Sequence, residues 1–149
     1  MNWNKDRSIV LSRICVVLFA LLLAALDTGA YWLVGLFIRL RGMPGQTCVF
    51  MMTSIYAGSV FGWITLWMLW KLLGNMSSGR VFVSANVRAM RTVSWCCAAV
   101  AVVCALSTLY YLPFLVAAMA VAFMALIVRI VKNAFQSALE MKNELDYTV

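Results

Sequence analysis

Long apolar runs broken by short charged stretches set the pattern of this chain. The cleanest run extends from about Val49 to Leu73 and carries no charge until Lys71. Two more follow, from about Thr92 to Tyr111 and from about Phe114 to Val131, parted at Pro113. A membrane-crossing helix needs about 20 largely apolar residues, so each run predicts one span. The short break predicts that the third and fourth helices form a tight hairpin. The first run opens near Ile9 and reaches Ile38, interrupted by Arg13, Asp27 and Gly29. It is too long for one upright span and too short for two. It predicts one helix and then an outer segment, residues 31–41, that spans, re-enters or lies on the surface. The spans fall at about 9–30, 49–73, 92–111 and 114–132, with a loop at 74–91 and a tail at 133–149. The fold class is all-α, an integral membrane four-helix bundle in a single domain.

Composition supports lipid as the solvent. Of 149 residues, 65% are hydrophobic and 11% charged, and the mean hydropathy is +0.95. A soluble domain carries about 25% charged residues, so its surface could not be covered from this stock. The net charge is +7, and its placement sets the topology. Lys5, Arg7, Arg13, Lys71, Arg80, Arg88, Arg91, Arg129, Lys132 and Lys142 flank the spans on one side, and only Arg39 and Arg41 lie on the other. By the positive-inside rule both termini are cytoplasmic. The expected location is a bacterial cytoplasmic (inner) membrane, multi-pass. Trp70 and Trp95 mark the inner interface and Tyr110 and Tyr111 the outer one. The basic start also resembles a signal peptide, but no A-x-A cleavage site follows and the apolar stretch does not stop where it should.

Candidate chemistry is sparse. Asp27-Thr28-Gly29-Ala30 spells the signature of an aspartic protease, whose two aspartates share one proton. Here it closes the helical run Cys15 to Leu26, and no other apolar run contains an aspartate. The chain has no histidine, and its cysteines lie mostly inside apolar runs, where they pack as small hydrophobes. No catalytic residue, metal site or cofactor is expected, and the chain is not expected to be an enzyme. A helix starting near Ile9 puts Asp27 about 27 Å along, close to the outer interface. One starting at Arg13 puts it about 21 Å deep, facing protein or water, with Arg39 or Arg41 as its partner. Asp27 is then either an interfacial, helix-ending carboxylate or an intramembrane polar site for a ligand or proton. Gly58 and Gly62 form a GxxxG pair that lets a helix approach closely, within one bundle or in a homo-oligomer. Trp63, Trp67 and Trp70 make a stripe expected to face lipid or to pack.

Two segments face the cytoplasm. The loop joining the second and third spans contains Ser84, a plausible N-cap, with Phe82 at the membrane surface and Arg80, Arg88 and Arg91 near anionic headgroups. In the tail, Val131, Ala134, Ala138, Met141 and Leu145 keep helical spacing, so the fourth helix runs on past the membrane. Glu140, Glu144 and Asp146 form an acidic cluster there, a solvated helix end or a site for a basic partner.

At these segments the chain resembles a family of small bacterial four-helix membrane proteins, domain of unknown function 2975. The matching positions are Gly79, Phe82, Asn86 and Arg91 in the loop, and Glu144, Asp146, Thr148 and Val149 at the end. The ending is similar to Glu-Asn-Asp-Leu-Thr-Ile, from which Leu145 and Tyr147 depart. The family has no established activity, and its members are often encoded beside a small helix-turn-helix regulator. The resemblance implies a non-enzymatic membrane anchor or sensor that holds such a regulator through those eight positions, with no direct nucleic-acid contact. The competing expectation is a small transporter or channel subunit using Asp27 in a polar path.

Overall fold

The computed structural model describes residues 3–147, with side chains from Arg7 to Leu145. It holds four helices: α1 (Trp3–Arg41), α2 (Gln46–Ser77), α3 (Ser84–Ser107) and α4 (Phe114–Tyr147). All four are long and apolar enough to cross a membrane, the build of a multi-pass membrane protein. At 1.5 Å per residue, the 39 residues of α1 reach about 58 Å. The 34 residues of α4 reach about 51 Å. Both exceed the roughly 30 Å hydrocarbon core.

The first helix differs from the expected helix plus outer segment. It runs unbroken through Asp27 and Gly29 to Arg41. A mid-helix glycine costs only about 1 kcal/mol relative to alanine. Thr28 donates its hydroxyl to the Ala24 carbonyl at 2.9 Å and keeps its polar group on the helix. The chain stops instead at Gly42, whose φ of +62° turns the backbone so that the Met43 amide donates to the Ile38 carbonyl at 3.2 Å. Pro44 then cannot continue a helix. The same device ends α2. Gly79 has φ +73°, its amide donates to the Met76 carbonyl at 3.1 Å, and the Arg80 amide donates to the Asn75 carbonyl at 3.0 Å.

Each helix packs on its sequence neighbour, α1 on α2, α2 on α3 and α3 on α4. Among the described residues no Cα of α1 comes within 8 Å of α3 or α4, so the side between α1 and α4 stays open. The buried positions are mostly small: Ala30, Ala89, Cys96, Ala118 and Ala125, with Val34, Val87 and Val93. Helices in lipid gain by close approach through small residues, while Leu, Phe and Trp remain outside. Leu109 and Leu40 are 89% and 77% exposed, which a water-facing surface would not tolerate in such number.

One end of the molecule is aromatic. Phe37 of α1 meets Tyr111 edge-on at 5.4 Å, and Phe50 of α2 stacks on Tyr110 at 6.3 Å. The 108–113 turn between α3 and α4 is thereby tied to the first two helices. The other end is basic. There the Arg13 guanidinium lies 5.9 Å from the Trp70 ring centre, and Arg91 and Arg129 stand opposite each other on α3 and α4.

Candidate functional site

Two polar constellations stand out, one at mid-length of α1 and one at the basic end. The first is built on Asp27. Tyr56, Ser59 and Trp63 occur three and four residues apart on α2, so they share one face of that helix. Ser59 donates its hydroxyl to Asp27 Oδ2 at 2.7 Å, and Trp63 Nε1 donates to the same oxygen at 3.0 Å. Tyr56 donates to the Asp27 backbone carbonyl at 3.2 Å. Asp27 Oδ1 is buried without a hydrogen-bond partner. Arg39 and Arg41 are not partners; they lie on the same helix about 18–21 Å further along, and Arg41 packs on Phe37.

Nor does Asp27 end a helix. Arg13 and Arg41 are each about 21 Å from it along α1, and the 42 Å between them matches the headgroup-to-headgroup thickness of a bilayer. Were α1 to stand upright with these arginines at the two headgroup levels, Asp27 would fall near the midplane, where a charged residue costs about 2.5–3.5 kcal/mol on insertion scales. The crevice just beside it, about 350 Å³, is lined by Phe19, Leu23, Gly62, Leu66 and their apolar neighbours from all four helices.

The tryptophan stripe is therefore divided in use. Trp63 holds Asp27, Trp70 takes Arg13, and Trp67 is 70% exposed. The glycine pair is divided too. A side chain at Gly62 would meet Leu23 of α1 at 3.1 Å, whereas one at Gly58 would find open space. Gly62 is where α1 and α2 approach; Gly58 is not.

At the basic end, Asn86 is 1% exposed. Its Nδ2 donates to the Arg80 and Val81 carbonyls at 3.0 and 2.8 Å, and its Oδ1 accepts from Asn75 Nδ2 at 2.8 Å. One side chain thus ties the end of α2, the loop and the start of α3. Ser84 does not cap α3; the cap position is Val83, in extended conformation and without a side-chain bond. The loop then leans on α4, with Phe82 and Phe135 ring centres 5.7 Å apart. Of the loop positions named from the sequence, Gly79 and Asn86 thus serve the loop's own shape. Phe82, 43% exposed, and Arg91 remain on the surface. Glu144 lies on the exposed end of α4 with Glu140, which accepts a bond from Gln136. The side chain of Asp146, and Thr148 and Val149 altogether, lie outside the described residues.

A third cluster escaped the sequence reading. Ser54 and Ser107 hydroxyls are 2.8 Å apart, Ser107 reaches the Val103 carbonyl at 2.8 Å, and Tyr110 donates to Ser54 at 2.9 Å. Each hydroxyl has one proton, so the consistent order runs Tyr110 to Ser54 to Ser107 to the Val103 carbonyl. It joins α2 to α3 near the aromatic end.

No curated protein and no solved structure matches this chain. Residues 30–149 match the family described as "Protein of unknown function (DUF2975)". The match takes in α2, α3, α4 and both the loop and the tail, and begins just after Asp27. The chain belongs to the DUF2975 family.

Proposed function

We propose that this protein is a non-enzymatic integral membrane protein that acts through a cytoplasmic partner. In this reading both termini are cytoplasmic, in the inner membrane of a bacterium, and α3 and α4 form a tight hairpin. The partner class is a helix-turn-helix transcription regulator, which the protein anchors or whose state it reports. The observation that carries the reading is the built character of the basic end. Its loop is held by a fully buried asparagine and leans through Phe82 on Phe135, and α4 continues about 27 Å beyond Arg129. A loop serving only to connect two spans needs neither a buried polar staple nor a projecting helix beside it. Preformed surfaces of this kind lower the ordering cost of binding. The acidic tail at Glu140 and Glu144 offers a complement to a basic partner.

The test is photo-crosslinking in the native membrane, with the reactive side chain placed at Phe82, at Glu140 or at lipid-facing Trp67. A regulator crosslinked from Phe82 and Glu140 but not from Trp67 is the expected result. Absence of any soluble protein from all three positions would count against the reading.

A second reading has its own observation, Asp27 at mid-length of α1 with one buried oxygen lacking a partner. Intramembrane carboxylates mark ion and substrate paths, so a small transporter or channel subunit is the alternative. Ion flux in proteoliposomes that Asp27→Asn abolishes would support it, and flux that never appears would remove it.

A further inference from the structure

A groove of about 670 Å³ lies between α3 and α4. Its lining changes character along its length. At the basic end stand Arg91, Arg129 and Lys132, with Trp95 beside them; among the described residues no acidic side chain lines it. Further in, the floor is Ala98, Ala101, Ala122 and Ala125, walled by Val102 and Leu126. The one polar group on that path, the Ser94 hydroxyl, is already turned to the Ala125 carbonyl at 3.1 Å. The floor therefore asks for no hydrogen bond from an occupant. From Arg91 to Val102 the helix rises about 16 Å, which carries the groove from headgroup level into the hydrocarbon.

We propose that this groove is a binding site for an anionic phospholipid of the leaflet at the basic end. Its phosphate is held by Arg91, Arg129 and Lys132, and one acyl chain lies along the alanine floor. Three cations lining one end of a single groove, with no carboxylate among the described lining residues, call for an anion. Arginine pairs with phosphate through its planar fork, and lysine adds a point charge. The alanines leave a trough where larger side chains would have closed the helix pair, and an acyl chain fits it without unpaired polar groups. Exposed Trp95 supplies a ring suited to the glycerol level of the interface. Basic pockets between membrane helices are a recurrent way of selecting anionic headgroups. The site is independent of the partner reading and stands whether or not a regulator binds.

The experiment is native mass spectrometry on the full-length protein, released from detergent with added phosphatidylglycerol or phosphatidylcholine. One phosphatidylglycerol is expected to remain bound under activation that strips phosphatidylcholine. Each charge near an anionic headgroup contributes about fivefold, so Arg129→Gln with Lys132→Gln should weaken that lipid about 25-fold. The matched pair Arg80→Gln with Arg88→Gln removes the same charge outside the groove and should leave the retained lipid within about threefold. Equal losses in both pairs would reduce the effect to general surface attraction and overturn the site. Ala98→Phe fills the floor and keeps every cation; it should lose the lipid too, which covers the case of a charge variant that fails to fold. Displacement of the lipid by inorganic phosphate as readily as by phosphatidylglycerol would also overturn it, since the acyl trough would then contribute nothing.

Discussion

Replacing Asn86 by alanine removes the group on which the basic end is assembled. Three hydrogen bonds of 2.8–3.0 Å disappear at once. The Arg80 and Val81 carbonyls and the Asn75 amide lose their partner in a site that is 1% exposed at Asn86. A net hydrogen bond contributes about 0.5–1.5 kcal/mol. Water can reach the carbonyls once the loop loosens, so the lower part of the summed range applies, about 2–3 kcal/mol. That is a 30- to 140-fold rise in loop opening. Hydrogen exchange reads it directly at the Arg80 and Asn86 amides, which donate to the Asn75 and Val83 carbonyls at 3.0 Å each. Exchange at Ala98 and Ala122, inside the helix pair, should not change. Asn86→Asp should be worse than alanine, because it turns a carboxylate oxygen toward two carbonyl oxygens. Unchanged exchange at Arg80 and Asn86 in the alanine variant would refute the staple, and with it the idea of a preformed loop.

Other outcomes follow from single contacts. Gly79→Ala forces a side chain into a backbone of φ +73° and should cost about 1–2 kcal/mol, read as faster tryptic cleavage at Arg80. Gly58→Ala should raise stability to sodium dodecyl sulfate slightly, by up to about 1 kcal/mol, since it gains helix propensity and meets nothing. Gly62→Leu should lower that stability by about 1–3 kcal/mol through overpacking against Leu23; the same sign for both would show that the α1–α2 contact is misplaced. A double-mutant cycle of Asp27→Ala and Ser59→Ala should give a coupling between about 0.6 and 1.7 kcal/mol, the average and the maximum for hydrogen bonds between membrane helices. Zero coupling would separate α1 from α2 at this level.

The four helices were legible because hydropathy reports the solvent, and lipid demands closed backbone hydrogen bonding in every span. The continuation of α4 was legible in the spacing from Val131 to Leu145. The unbroken course of α1 was not, because Asp27 and Gly29 carry the local marks of a helix end. What cancels those marks is tertiary: the carboxylate is satisfied by Ser59 and Trp63 on another helix. The signal was present in the spacing of Tyr56, Ser59 and Trp63, three hydrogen-bonding side chains on one face of an apolar span. Arginine is the natural partner of a buried carboxylate, yet Arg39 and Arg41 share its helix and cannot fold back to it. Ser84 looked like a cap because serine is a favoured one. The start of α3 is held instead by Asn86, two residues inside the helix, whose bonds run to the loop. Only the three-dimensional path of that loop reveals them. The Ser54–Ser107–Tyr110 cluster was hidden for the same reason, since isolated hydroxyls in membrane helices ordinarily bond their own backbone.

The most direct test of the account is affinity purification from the native membrane, full-length protein beside a version truncated after Met141. The account predicts that a helix-turn-helix regulator is captured by the full-length protein and lost, or sharply reduced, with the truncated one. Capture of no regulator by either form, from membranes in which both are folded and equally abundant, would contradict it and shift the weight to Asp27.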